Sequence, residues 1–203
     1  PLRTPSTRAI VLQDSAVDRY LTHSQALLAV AARSSQPCPA RPGAAAAMAV
    51  MLQFPLGDVV IDLYDEGEPA RICESFTRLC ARKYYHGCLV YQVQSGCLAQ
   101  TGDPTGTGKG GCCSSHHEGD AQRFIRHAPS DDRQKHDRAG LVSVVSMGAQ
   151  GNEHLYGSQF FFTLRDEDLD HLDAGGHVVI GEVAEGLDVL KKIGALYLDS
   201  NGR

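Results

Sequence analysis

The chain has no tryptophan, no C-x-x-C pair, and no apolar run approaching the roughly 18 residues that cross a membrane. Each absence excludes something. Seven cysteines, an odd number without paired spacing, do not make a disulfide framework, so reduced thiols in a nuclear or cytoplasmic setting fit best. The missing apolar run argues against a membrane partner. Positive charge is also scarce where the patterning is strong: residues 1–47 hold five Arg and two Asp, so the rest of a chain of formal charge −5 carries −8. An acidic domain lacks the clustered Lys and Arg that phosphate backbones require, which speaks against direct nucleic-acid binding.

What is present centres on Gly157-Ser158-Gln159-Phe160-Phe161-Phe162-Thr163-Leu164. Read as a strand, it turns Phe160 and Phe162 to one face and Phe161 to the other, so both faces are apolar. Gly157 permits a turn or a close approach, and Ser158 and Gln159 are short polar handles.

Residues 1–47, rich in Ala, Ser, Pro and Arg and without sustained period, read as a disordered or non-native extension in which 16–33 has weak helical character. Met48 stands directly before the first patterned strand. Residues 50–54 and 59–64 form a hairpin around Leu56-Gly57-Asp58. Pro69 then opens a helix whose Ile72, Phe76, Leu79 and Cys80 make one apolar face. Short strands follow over 89–93 and 97–100, then a buried strand over 141–147, a loop over 148–156 and a strand over 177–183. Leu187, Leu190, Ile193 and Tyr197 mark a closing helix. Residues 118–138 read as an exposed charged loop. The order suggests a mainly β fold, a closed or nearly closed barrel capped by helices.

Two stretches invite other chemistry. Residues 101–111 alternate Gly and Thr, yet Lys109 is followed by Gly110 and no helix comes next, so the phosphate-loop spacing fails. Cys112, Cys113, His116 and His117 bring soft and imidazole ligands together, but the pairs lack the usual zinc separation. A zinc-binding loop stays a minor alternative there; a structural turn is the simpler reading.

Taken together, Leu56-Gly57-Asp58 with the strand after it, Gln100-Thr101-Gly102-Asp103-Pro104-Thr105-Gly106-Thr107-Gly108, Gly157-Ser158-Gln159-Phe160-Phe161 and His177-Val178-Val179-Ile180-Gly181-Glu182-Val183 resemble the cyclophilins over about residues 48–201. Through Lys83-Tyr84-Tyr85 and the Gln100 loop the chain resembles most the spliceosome-associated cyclophilins that carry an RNA-recognition domain. The resemblance implies an eight-stranded antiparallel barrel capped by two helices and a peptidyl-prolyl cis-trans isomerase without cofactor or metal. Its partners would be proline-containing peptides or proteins, spliceosomal proteins among them. Family members add a last strand that closes the barrel against the first; this sequence ends at Arg203, so an open edge is expected.

Carried over residue by residue, the resemblance places Gln100, Gln159, Phe161, Leu172 and His177 in the substrate pocket, with Phe161 as floor, Gln100 on the substrate backbone and His177 at the edge. Six other positions depart from the family. Its catalytic arginine falls on Gln92, which can donate an N–H but lacks the charge and fork of a guanidinium. Its pocket Phe and Met fall on Cys97 and Leu98, and its backbone-contacting Ala-Asn pair on Val145 and Ser146. The Trp that many members use for cyclosporin matches His171, reached by allowing two extra residues in 165–170, so cyclosporin binding should be weak or absent. The resemblance thus implies either an isomerase of reduced activity or a non-catalytic module that binds proline segments in a spliceosomal or other nuclear complex.

Overall fold

A computed structural model of the chain describes the backbone of residues 27–31 and, with side chains, residues 48–64, 69–94, 96–131 and 133–195. Ten strands are described: β1 Leu27–Ala31, β2 Met48–Phe54, β3 Gly57–Leu63, β4 Cys88–Leu89, β5 Gln92–Gln94, β6 Leu98–Thr101, β7 Ile125–His127, β8 Leu141–Gln150, β9 Glu153–Thr163 and β10 Val178–Glu185. The helices are α1 Ala70–Ala81, α2 Ser114–His117, α3 Asp170–Ala174 and α4 Leu187–Gly194. All the paired strands are antiparallel, in the order β4-β1-β2-β3-β10-β8-β9-β6-β5, with β7 on the side of β9. The two ends of that path, β4 and β5, are separated in sequence by Val90 and Tyr91 alone, so the sheet curls back on itself.

The mainly β expectation holds, and the differences have physical reasons. The expected continuous strand over 89–93 breaks where Tyr91 turns its ring under the Gly-rich loop; a Cβ on Gly108 would stand 3.3 Å from that ring. The edge expected to be open beside β2 is occupied. Ala29, Val30 and Ala31 pair with Gln53, Leu52 and Met51, and Leu27 and Leu28 pair with Leu89 and Cys88. A short apolar segment gains ladder hydrogen bonds on both sides in that seam, which outweighs weak helical propensity. The rest of residues 1–47 and Tyr197 of the closing helix lie outside the described residues. The loop expected over 148–156 is mostly a two-stranded extension of β8 and β9, with register shifts on either side of Ser146.

Alternation along β9 divides the interior. Phe160 and Phe162 belong to the main core, with Leu52, Ile61, Leu79, Ile180 and Leu190. From α1, Phe76 meets Phe160 edge-on at 5.1 Å, and Ile72, Leu79 and Cys80 complete the buried face read from the sequence. Phe161 points the other way, into a second cluster with Cys97, Leu98, Val145, Leu169 and Leu172. Gly157 lies within β9, where a Cβ would come 3.2 Å from the Phe124 ring. It serves close approach, not a turn.

Candidate functional site

Strand register builds the site. Gln92 on β5 lies opposite Gln100 on β6, Gln100 opposite Phe161 on β9, and Phe161 opposite Ser143 on β8. Directly opposed residues send their side chains to the same face. One row across four strands therefore runs amide, amide, phenyl, hydroxyl. Phe161, 1% exposed, is its floor. The apolar rim of Cys97, Leu98, Val145 and Leu172 joins it, with Met147 and Leu169 packed alongside. Of the expected site residues, His171 stands apart, exposed on α3 and outside this cluster.

On one side of Phe161 lies an imidazole wall. The His177 ring meets Phe161 edge-on at 5.3 Å, and the Ser146 backbone N–H donates to its Nδ1 at 3.0 Å. Burial first, then the fields of His136, His154 and His171, lower His177 to about 4. It is neutral at pH 7. Ser146 Oγ also lies 2.7 Å from His154 Nδ1.

Beneath the floor is a residue that the sequence reading left in an exposed loop. His136, 3% exposed, stacks on Phe161 at 5.7 Å, with Nδ1 2.8 Å from Asp173 Oδ1 and Nε2 3.0 Å from Ser143 Oγ. Burial holds His136 below the ordinary imidazole value despite Asp173. A neutral ring donating to the carboxylate and accepting from Ser143 satisfies all three groups. The order Ser-His-Asp suggests a hydrolytic triad, yet Ser143 is fully buried, so no acyl group can reach it. The charged run 131–138 concealed His136, because neither period nor spacing signals a loop histidine folding inward.

On the other side is an amide wall. Gln159 Nε2 donates to the carbonyls of Gly108 and Gly110 at 3.0 and 2.9 Å. Its Oε1 accepts from Tyr91 Oη at 2.7 Å and Gln100 Nε2 at 3.0 Å. Gln100 Nε2 also donates to Tyr91 Oη at 2.7 Å. The sequence reading missed Tyr91.

The Gly-rich loop behind this wall folds around its own anion. The buried Asp103 carboxylate accepts from Thr105 N and Oγ1 at 2.8 Å each, Gly108 N at 2.8 Å and Gly110 N at 3.0 Å. Burial alone would raise its pKa, but these donors outweigh burial and the carboxyl lies below its usual range. Loop N–H groups given to Asp103 cannot cradle a phosphate.

The Cys/His stretch does not converge either. Cys112 Sγ sits 3.6 Å from Tyr84 Oη, Cys113 Sγ 3.2 Å from Ser115 Oγ, and His116 Nδ1 2.8 Å from the Asp120 carbonyl, while the His117 ring packs on Tyr84. Among the described residues no group of three or more His, Cys, Asp or Glu could hold a metal ion. Among them, too, no helix is long and apolar enough to cross a membrane.

Comparison with known proteins agrees with this geometry. Human peptidyl-prolyl cis-trans isomerase-like 4 is 48% identical over 155 residues, 76% of this chain and 30% of that protein. Arabidopsis thaliana peptidyl-prolyl cis-trans isomerase CYP59 is 46% identical over 157 residues, 77% of this chain and 29% of that protein. The chain thus spans less than a third of the length of these relatives. Among solved structures, a cyclophilin type peptidyl-prolyl cis-trans isomerase of Cryptosporidium parvum superimposes with a TM-score of 0.65 at 28% identity, covering 76% of this chain and 88% of that one. The family described as "Cyclophilin type peptidyl-prolyl cis-trans isomerase/CLD" matches residues 49–203. The chain belongs to the cyclophilin type peptidyl-prolyl cis-trans isomerase family.

Proposed function

We propose that this chain is a slow peptidyl-prolyl cis-trans isomerase that seats a proline ring on Phe161. The observation that carries the reading is the row Gln92–Gln100–Phe161, which sets a neutral donor, a backbone-binding amide and an apolar floor side by side. Rotation about an X-Pro bond meets a barrier of about 20 kcal/mol because amide resonance resists twisting, and the twisted prolyl nitrogen is more basic. A dry pocket with a donor aimed at that nitrogen lowers the barrier with no nucleophile or cofactor. Phe161, Leu98, Val145 and Leu172 exclude water from the ring, neutral His177 closes one edge, and Gln92 offers the N–H. The Cryptosporidium relative has also been solved in the presence of the dipeptide Ala-Pro, with a TM-score of 0.65 to this chain.

Gln92 also favours a second reading, a module that binds proline segments without turning them over. Loss of a charged donor costs on the order of 10²–10³ in rate. A protease-coupled assay on a proline peptide decides between them. The first reading expects acceleration above the uncatalysed rate and a large further gain in Gln92→Arg. No acceleration in the parent chain, with peptide-induced shifts at Phe161 and His177, establishes the second. Resemblance to the spliceosome-associated members supports a nuclear setting and proline-bearing spliceosomal partners. The exposed His171 supports weak cyclosporin binding.

A further inference from the structure

The amide wall has a direction, and Tyr91 sets it. Gln159 faces two backbone carbonyls, those of Gly108 and Gly110, so the atom it turns to them is its NH2 and the atom it turns inward is Oε1. An inward acceptor fixes its neighbours. Tyr91 has one hydroxyl proton and gives it to Gln159 Oε1, so toward Gln100 the same oxygen can only accept. Gln100 therefore directs both hydrogens of Nε2 into the wall, one to Tyr91 Oη and one to Gln159 Oε1. What Gln100 keeps for the pocket is its carbonyl oxygen. Tyr91 is 5% exposed, and burial pushes its phenol well above the ordinary value, so the proton stays in place across the physiological range.

We propose that Tyr91 is a positioning residue which locks Gln100 with its carbonyl oxygen toward the pocket, so that the site selects proline segments whose flanking peptide group presents an N–H. This rests on the reading of the pocket as a proline site. The prolyl nitrogen has no hydrogen, so the selected N–H belongs to the residue before or after the proline. A Gln100 free to turn over would accept either a donor or an acceptor and would not discriminate.

The test compares the full chain with Tyr91→Phe, which keeps the ring and removes the relay. Affinity is measured by NMR titration for a proline pentapeptide and for two analogues, each N-methylated at one flanking amide. In the parent chain one analogue binds about fivefold more weakly, the value of one neutral hydrogen bond. In Tyr91→Phe that loss falls below twofold. Equal affinity of both analogues for the parent, or an undiminished loss in the variant, overturns the proposal. The Gln100 side-chain amide resonances of the ligand-free protein test the relay alone. One of the two hydrogens moves upfield in Tyr91→Phe; an unchanged pair refutes the relay. If no peptide binds the parent while the resonance moves, it is the proline-site reading that falls and the relay that stands.

Discussion

Two walls flank Phe161, and they are made differently. The imidazole wall hangs on ring nitrogens: His177 takes the Ser146 N–H, His154 lies against Ser146 Oγ, and His136 bridges Asp173 and Ser143 below. The amide wall of Gln92, Gln100, Gln159 and Tyr91 has no group that titrates near neutrality, and its anchor is the Asp103 carboxylate inside the Gly-rich loop. Both hold short hydrogen bonds among largely buried side chains. They differ in what undoes them. Protons attack the first at mild acidity and the second only where carboxylates protonate.

Replacing the shared floor has the largest expected effect, because it strikes both walls. Phe161→Ala removes a ring that touches His136, His177 and the apolar cluster. A buried Phe-to-Ala change costs about 3–5 kcal/mol. Urea unfolding should show that loss, with proline-peptide binding abolished. Full binding in a folded variant would mean that the walls hold substrate without the floor, and would separate them from Phe161 altogether.

The floor was legible from the sequence and the walls were not, for a physical reason. Alternation alone sends Phe161 opposite to Phe160 and Phe162, and helical period alone buries Ile72, Phe76 and Leu79. Gln92, Gln100 and His177 were placed through resemblance. Tyr91 and His136 had no such signal, since each does its work by a side chain that leaves the local pattern. One breaks a strand, and the other turns inward from a run of charges. The pairing of β1 with β2 and β4 was illegible for a related reason: two strand edges far apart in sequence override a short segment's own preference.

Next in size is the anchor of the amide wall. Asp103→Asn presents an NH2 to a loop of N–H donors and leaves at least one buried donor unsatisfied, at a cost of about 2–3 kcal/mol. The Gly108 and Gly110 carbonyls then shift, and with them Gln159 and Gln100. Crosspeak changes should run along residues 100–111 and Gln159 and leave His177 in place. A change spread equally to His177 would show the walls to be coupled through the floor.

Acidity separates the walls without any mutation. The folded pKa of His177, about 4, lies below its unfolded value. Its contribution is therefore complete above about pH 6.5 and drains away as pH falls toward 4, about 3 kcal/mol in all. His136, lowered in the same direction by burial, adds to the same slope. Asp103 is also lowered, but from a carboxylate reference, so its contribution is present above about pH 4 and is lost only below. Unfolding midpoints between pH 7 and 4.5 should fall in the parent and fall less in His177→Asn. Equal slopes would remove His177 as the source.

Smallest is the outermost contact of the imidazole wall. Ser146→Ala deletes the Oγ that sits 2.7 Å from His154 Nδ1, but not the backbone N–H that reaches His177. Ser146 is half-buried, so water replaces part of what is lost, and the cost is about 1 kcal/mol or less. The two rings should respond differently in NMR spectra. The His154 ring resonances shift as the Oγ contact is lost; His177 keeps its low pKa, because burial and not Ser146 Oγ holds it down. A rise at His177 would place Ser146 Oγ within the support of the pocket edge and extend that wall out to the tip of the β8–β9 hairpin.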